Sequence, residues 1–367
     1  MVRPRLPRSV EELVHWYERY ISPLSLVAGF LADNYILLRR VDLLSSNLLL
    51  LSYLTIAALG IISIHVIESG RVRSPWILKI APVIPVVVQF SFGGLFSGYL
   101  SLYSRSASFP ASWVFVIIIA ALLLANERFT RLYARFTFQI GLYFTVLFSF
   151  FIFFLPVVFH AIGPYMFLLS GAASLAAIAL LLRGVGFFMP ELLRTERTRV
   201  ARIIAVIFVI FNILYFANII PPLPLALKDA GIYHGVTRMT DGNYLLLEEP
   251  VPWYEVYLRY NTAFHHSPGE NAYVYSAIFA PSGLSTTVLH EWQRYDEADR
   301  QWVTTNTVRY PIVGGRDGGY RGYSYKTNIS PGKWRVNVIT QYGQSIGRIS
   351  FTVVDVAEPV HVIEILR

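Results

Sequence analysis

Long apolar runs separated by short polar breaks fill the first 225 residues, and the rest of the chain switches to short stretches of alternating character. The runs fall near 21–38, 43–67, 80–103, 109–125, 136–158, 163–182 and 203–220. Most reach the roughly 20 residues that an α-helix needs to cross the hydrocarbon core, which predicts about seven spans. The first is the weakest, because Asp33 and Asn34 interrupt it. The third holds Pro82 and Pro85 and then Gly93, Gly94 and Gly98, the composition of a kinked helix with a face for close packing. Ahead of the runs, Ser9 and Glu12 have capping-box spacing, and Val10, Leu13, Val14 and Tyr17 share one helical face. Residues 9–20 therefore read as a short amphipathic helix, either lying at the membrane interface or packed on the bundle.

Pro221-Pro222-Leu223-Pro224 ends the last span as a stiff, extended exit. Residues 226–250 read as a connector. Strand chemistry then recurs at Trp253–Tyr260, Ala272–Ala280, Thr286–Tyr295, Gln301–Tyr310, Gly322–Ile329, Gly332–Thr340 and Gly347–Val354. Trp334, Val336 and Val338 alternate with Lys333, Arg335 and Asn337, and Ile349, Phe351 and Val353 repeat the alternation. Ser267-Pro268-Gly269, Pro281-Ser282-Gly283, Pro331-Gly332 and Tyr342-Gly343-Gln344 supply turns between the strands. About seven short strands so punctuated predict a sandwich of immunoglobulin-like kind. The expected architecture is a membrane α-helical bundle followed by an all-β immunoglobulin-like sandwich, divided as a 1–20 N-terminal segment, a 21–225 transmembrane region, a 226–250 connector and a 251–367 β-domain.

Charge sharpens this division. Residues 1–225 carry 18 Lys/Arg and 9 Asp/Glu, a net of +9; residues 226–367 carry 13 and 14, a net of −1, and together they give the +8 of the chain. The basic excess thus belongs to the membrane loops and not to a nucleic-acid surface, so no nucleic-acid partner is expected. Fifteen basic residues, from Arg3 to Arg202, fall on one side of the alternating topology, against Arg39, Arg40 and Arg105 on the other. The positive-inside rule then places the N-terminus in the cytoplasm and the β-domain beyond the membrane. Overall 54% of residues are hydrophobic and only 15% charged, against about a quarter charged in ordinary soluble domains. The absence of cysteine excludes disulfides, thiolate metal sites and cysteine nucleophiles. No cleavable signal peptide is evident, so the first span is expected to act as the insertion signal.

A series of C-terminal residues points to a family. It runs His290-Glu291-Trp292, Gly319-Tyr320-Arg321-Gly322-Tyr323-Ser324, Gly332-Lys333-Trp334-Arg335-Val336, the Tyr342-Gly343-Gln344 turn and Phe351-Thr352-Val353. Over residues 255–355 this resembles the bacterial family called domain of unknown function 2914, with Tyr323 standing where that family often has Trp. The resemblance implies a sandwich fold behind membrane segments, hence a multi-pass protein of the bacterial inner membrane with a periplasmic domain in the cell envelope. It implies no reaction.

The loop from Gly314 to Arg321 is the most unusual soluble feature: glycines that permit close backbone approach, surrounded by Arg316, Arg321, Lys326, Tyr320, Tyr323 and Tyr325. Aromatic faces with guanidinium donors suit a sugar ring or an anionic polymer; alternatively, the loop is a hairpin turn whose tyrosines pack on the sheet. His290 and Trp292 share a strand face and could join such a site, or form core and hydrogen-bonded rim. His265-His266 lacks a third ligand and reads as a solvated turn. Within the apolar runs, Asp33 is the ionisable group farthest from an end, with His65 or Gln89 as candidate partners across the bundle; interhelical hydrogen bonding accounts for all three. His65 and His160 lie at opposite depths, which argues against haem. No nucleophile elbow, phosphate loop or zinc signature appears, so neither catalytic residues nor a metal or cofactor are expected.

These readings favour a non-enzymatic membrane protein whose β-domain binds an envelope glycan, another anionic component or a membrane-protein partner. The rival is a transporter or membrane-embedded enzyme acting on a lipid-linked substrate.

Overall fold

The computed structural model describes residues 42–106, 109–126, 135–250 and 261–367. The expected amphipathic segment, the first span with Asp33 and the strand Trp253–Tyr260 lie outside the described residues. Two compact units emerge: a helical one reaching Ile220, and a second formed by Pro221–Arg367 with the short segments Arg105–Trp113 and His160–Gly163.

Seven described helices lie wholly or mostly in the first unit: α1 (Leu44–Glu68), α2 (Pro75–Ile80), α3 (Val83–Ser106), α4 (Phe109–Asn126), α5 (Phe136–Phe159), α6 (Pro164–Phe188) and α7 (Pro190–Phe216). Five of them, α1, α3, α5, α6 and α7, are long and apolar enough to cross a membrane, and the apolar part of α4 is shorter. The kink expected in the third run is a break, with α2 ending before Ala81-Pro82 and α3 starting after them. Proline removes an amide donor and clashes with the preceding turn, which favours a new helix start over a bend. α7 begins well before the expected 203, taking in Arg194, Arg197, Arg199 and Arg202. The 183–202 stretch expected as a loop is therefore helical except at the junction near Met189. Hydropathy ends at the first charge, but arginine is a good helix former, and Pro190 at the first turn sets the real boundary.

α5 packs against α1, α6 and α7 and is buried nearly all round, from Phe136 to Pro156. Aromatic contacts tie it to its neighbours: Phe148 stacks on Phe211 of α7 with centroids 4.7 Å apart, and Tyr99 of α3 donates to the Val146 carbonyl at 2.8 Å. A Cβ on Gly94 would lie 2.6 Å from the Tyr53 ring, so this glycine lets α1 and α3 approach closely. Large apolar side chains point outward instead, including Leu48, Leu59, Leu180 and Ile213, as expected of a surface solvated by lipid.

The second unit is β-rich. Strands β1 (Ala226–Tyr233), β5 (Ala272–Phe279) and β8 (Tyr320–Lys326) make one antiparallel sheet in the order β1-β5-β8. A five-stranded sheet follows the order β4-β10-β9-β6-β7, from β4 (Ala263–His266), β10 (Ser345–Asp355), β9 (Gly332–Thr340), β6 (Ser285–Asp296) and β7 (Gln301–Val313). All its pairings are antiparallel except β4 with β10. A third sheet pairs β2 (Gly235–Arg238), β3 (Tyr244–Glu248) and β11 (Ile363–Leu366) in the order β11-β3-β2. The stretch expected as a connector thus forms β1, β2 and β3.

One apolar core joins the first two sheets, with Val274 and Ile278 of β5 against Val288 and Trp292 of β6 and Trp334, Val336 and Val338 of β9. The opposite face of β5 carries Tyr275 and Ala277 into a second cluster with Val236, Tyr244 and Leu246 of the third sheet. β5 is therefore a middle layer, buried on both faces, whereas β9 and β10 keep the alternation expected of strands with one wet face.

Candidate functional site

The glycine-rich loop is a fastened turn. The Gly314 amide donates to Leu284 and the Gly315 amide to Ala280, at 2.9 and 3.1 Å. Gly319 has φ +86°, and a Cβ there would meet the Ile278 backbone at 2.9 Å, so only glycine fits. Arg321 points to the third sheet, where its guanidinium donates to Asn243 Oδ1 at 3.0 Å. Arg316 is exposed and stacks its charge 5.8 Å from the Tyr320 ring centroid.

Alternation along β8 then divides the expected binding set between two faces. Tyr320 and Lys326 lie on the core side, Tyr320 packed on the main core and the Lys326 amine 5.4 Å over the Trp334 ring. Burial lowers the Lys326 pKa. Tyr323 and Tyr325 lie on the outer side, 38% and 52% exposed, within 6.3 and 5.5 Å of Tyr273. Tyr244 adds an edge-on contact with Tyr323 at 6.2 Å. What remains accessible is a ledge of two tyrosines backed by two more.

His290 and Trp292 have no exposed surface. They form a polar staple between the two sheets of the main core. His290 Nδ1 meets Ser324 Oγ at 2.9 Å, and its Nε2 meets Ser276 Oγ and the Tyr310 hydroxyl, both at 2.9 Å. Trp292 donates its indole N–H to the same Ser324 oxygen at 3.0 Å. Burial pushes the His290 pKa down to about 3, so the ring is neutral near pH 7. Contrary to the expectation of a rim histidine, the whole pair is interior, and its chemistry is spent on satisfying buried hydroxyls.

A cluster that sequence reasoning missed lies where His234, just after β1, meets Glu249 and Glu270. His234 Nδ1 is 2.5 Å from Glu270 Oε1, and Nε2 is 2.9 Å from Glu249 Oε1. Two carboxylates facing both ring nitrogens call for an imidazolium that donates twice. Glu249 also takes the His265 ring at 2.6 Å and its amide at 2.8 Å, while Ser267 Oγ donates to Glu270 at 2.8 Å. His266 reaches Asp355 at 3.2 Å. The pair expected as a solvated turn is thus tied into an acid–imidazole network. Burial alone would lower the His234 pKa, but the hydrogen bonds and charges of Glu249 and Glu270 outweigh it and raise the value. For Glu249, burial would raise the pKa; hydrogen bonds from His234 and His265 prevail and hold it at about 2. Glu270 is lowered in the same way. Among the described residues, no three or more His, Asp or Glu side chains are arranged to hold a metal ion. Within the sequence, only the closeness of His265, His266 and Glu270 hinted at this network; His234, Glu249 and Asp355 lie far off in the chain.

Of the intramembrane candidates, Asp33 lies outside the described residues and Gln89 sits half-buried in α3. His65 makes an interhelical bond to Gln139 Oε1 of α5 at 3.0 Å and a local one to Glu68 at 2.9 Å. His65, Glu68 and Arg71 line a cleft of about 280 Å³ with Pro190 and Glu191 of α7.

Against this geometry, residues 285–353 match the family model described as Protein of unknown function (DUF2914). The match runs from the start of β6 into β10 and includes the His290–Trp292 staple, Ser324 and Trp334. No curated protein matches the chain. One solved structure, a Pseudomonas fluorescens alkylpurine DNA glycosylase AlkC bound to DNA containing an abasic site analog, covers 77% of this chain and 83% of its own at 10% identity and a TM-score of 0.22. A likeness at that TM-score carries no argument about fold or function.

Proposed function

We propose that this is a multi-pass membrane protein of about seven spans that presents an immunoglobulin-like β-unit on the extracytoplasmic side, where it binds an envelope glycan without catalysing a reaction. The observation that carries the reading is the tyrosine ledge: Tyr323 and Tyr325 are exposed side by side on one face of β8 and rest on Tyr273 and Tyr244. Preformed aromatic faces with a polar hydroxyl at the tip suit the flat, apolar side of a pyranose ring. Such a ledge needs little ordering on binding, so its contact area converts efficiently to affinity.

The test uses the full chain in mild detergent with purified peptidoglycan sacculi as the probe. Wild-type protein is expected to sediment with the sacculi, and Tyr323→Ala with Tyr325→Ala is expected to lose that association while melting like the wild type. Sedimentation unchanged in the double variant would reject the ledge as the binding surface. Orientation is checked separately: a reporter active only outside the cytoplasm, fused after Arg367, should be active. The rival reading as a transporter or membrane-embedded enzyme has the His65–Glu68–Arg71 cleft in its favour. A cellular defect from Glu68→Gln, with none from the tyrosine double variant, would select it.

A further inference from the structure

A second site lies in the helical unit. α6 and α7 form a hairpin joined near Met189, and a groove of about 470 Å³ runs between them. Its walls follow helical spacing: Ile178 and Leu182 on α6, and Val200, Ile204 and Phe208 on α7, with Arg197 as the only charged residue of the lining. The size falls in the range of roughly 300–1,000 Å³ typical of small-molecule sites.

Two features say what fills it. From Arg197 to Phe208 the helix rises roughly 16 Å, at about 1.5 Å per residue, which is close to half of a hydrocarbon core about 30 Å thick. The part of the groove from the cation to Phe208 is therefore one leaflet deep, and Leu193 extends the lining by one turn on the other side of Arg197. The second feature is charge. Arg199, two residues on, is paired with Glu196 at 2.8 Å, and that carboxylate also accepts from Thr137 at 2.8 Å. No ion pair to Arg197 occurs among the described residues, and Arg183 and Arg194 add positive charge at the same end of the hairpin. A guanidinium at headgroup depth is a fork-shaped phosphate donor.

We infer that the α6–α7 groove holds one acyl chain of an anionic membrane phospholipid, whose phosphate is bound by Arg197. The inference rests on the membrane-spanning part of the proposed function and is independent of the tyrosine ledge. The anionic headgroup supplies selectivity, because a zwitterionic lipid offers the same chain without net charge for the arginine cluster. The apolar wall supplies register, since the chain can lie along it only with its phosphate beside Arg197.

The full chain is reconstituted into nanodiscs of phosphatidylcholine doped with phosphatidylglycerol, and retained lipid is identified by native mass spectrometry after gentle release. Both lipids offer Arg197 a phosphate, but only phosphatidylcholine brings a trimethylammonium cation up to the arginine cluster, so phosphatidylglycerol is expected to be retained about tenfold more strongly. Arg197→Gln should erase the preference. Ala205→Trp, at a position that lines the groove, should abolish retention of both lipids. Both variants are expected to insert and melt as the wild type does in pure phosphatidylcholine. Equal retention of the two lipids by the wild type, or an undiminished preference in Arg197→Gln, would overturn the groove assignment. A chain that does not insert into the nanodisc at all would overturn the membrane reading itself, and the groove with it.

Discussion

His65 of the helical unit and His290 of the β-unit are both buried, and they are treated differently. His65 spans α1 and α5 with a single interhelical bond to Gln139, and its other nitrogen turns to Glu68 at the helix end. His290 serves three hydroxyls from three different strands, and Trp292 shares one of them. Inside each long helix the backbone groups are satisfied by the helix itself, so polar side chains there are accessories to packing by aromatics and small residues. In the β-unit the first two sheets meet through a shared core of side chains, and a polar group placed between them must be matched there. The same residue is therefore dispensable glue in one unit and a keystone in the other.

The largest expected effect tests that contrast. His290→Leu keeps roughly the volume but removes the ring that serves Ser276, Ser324 and Tyr310. Ser276 and Tyr310 still meet at 2.7 Å, and Ser324 still accepts from Trp292 at 3.0 Å. The buried hydrogen-bonding capacity left unmet therefore costs about 1–3 kcal/mol in all. Against a total stability on the order of 5–15 kcal/mol, the β-unit should unfold well below its wild-type temperature, seen in the near-ultraviolet dichroism of Trp292 and Trp334. His65→Leu removes one interhelical bond, worth about 0.6 kcal/mol on average and at most about 1.7, and should leave the bundle intact. Equal losses for the two variants would break the contrast.

How far each unit was legible in the sequence follows the same physics. The β9 and β10 alternation was readable because one face of each strand is wet; Trp334, Val336, Ile349 and Phe351 are all buried as expected. β5 shows no alternation because Tyr273, Val274, Tyr275 and Ala277 pack into two different cores. The third sheet went unread because β2 and β11 are four-residue strands, too short for a period to register. In the helical unit, hydropathy located the apolar centres but missed the α7 start, since a helix continues past charged residues until a cap or proline stops it. The His290 staple and the His234 cluster were beyond reach for a different reason. Their partners are distant in sequence and common in type, so no spacing rule marks them.

A middle-sized effect sharpens the comparison through pH. The raised pKa of His234 means its pairing stabilises the fold fully below the unfolded value near 6.5 and is lost as pH rises through the raised folded value. The lowered pKa of Glu249 means its contribution is complete above about 4.5 and is lost as pH falls toward about 2. His290 adds a slope of its own. Its folded pKa of about 3 lies below the unfolded value near 6.5, so the unfolded chain takes up a proton that the folded one refuses. Stability therefore falls as pH drops from about 6.5 toward 3. The β-unit should melt highest near pH 6.5, with an acid flank set by His290 and Glu249 and an alkaline flank set by His234. Glu249→Gln should flatten the alkaline flank and leave the His290 part of the acid flank in place. An alkaline flank unchanged in Glu249→Gln would remove the cluster as its cause.

The smallest effect separates two residues on the same outer face of β8. Arg321 is tied to the turn between β2 and β3 through Asn243 and Gly242, at 3.0 and 3.4 Å, and the Tyr244 hydroxyl reaches back to the Arg321 carbonyl at 3.4 Å. Loss of such bonds from a half-buried guanidinium costs about 1 kcal/mol, so Arg321→Ala should lower the melting temperature of the β-unit by a few degrees. Tyr325 is half exposed, with its ring centroid 5.5 Å from that of Tyr273, so Tyr325→Ala should shift stability by less than about 0.5 kcal/mol. If binding belongs to the ledge, the ranking reverses in a sacculus sedimentation assay: Tyr325→Ala loses association at full stability, while Arg321→Ala keeps it below its own melting point. Parallel losses in both assays would mean that the tyrosines are part of the packing between the middle and third sheets, and that the outer face of β8 has no role apart from the fold.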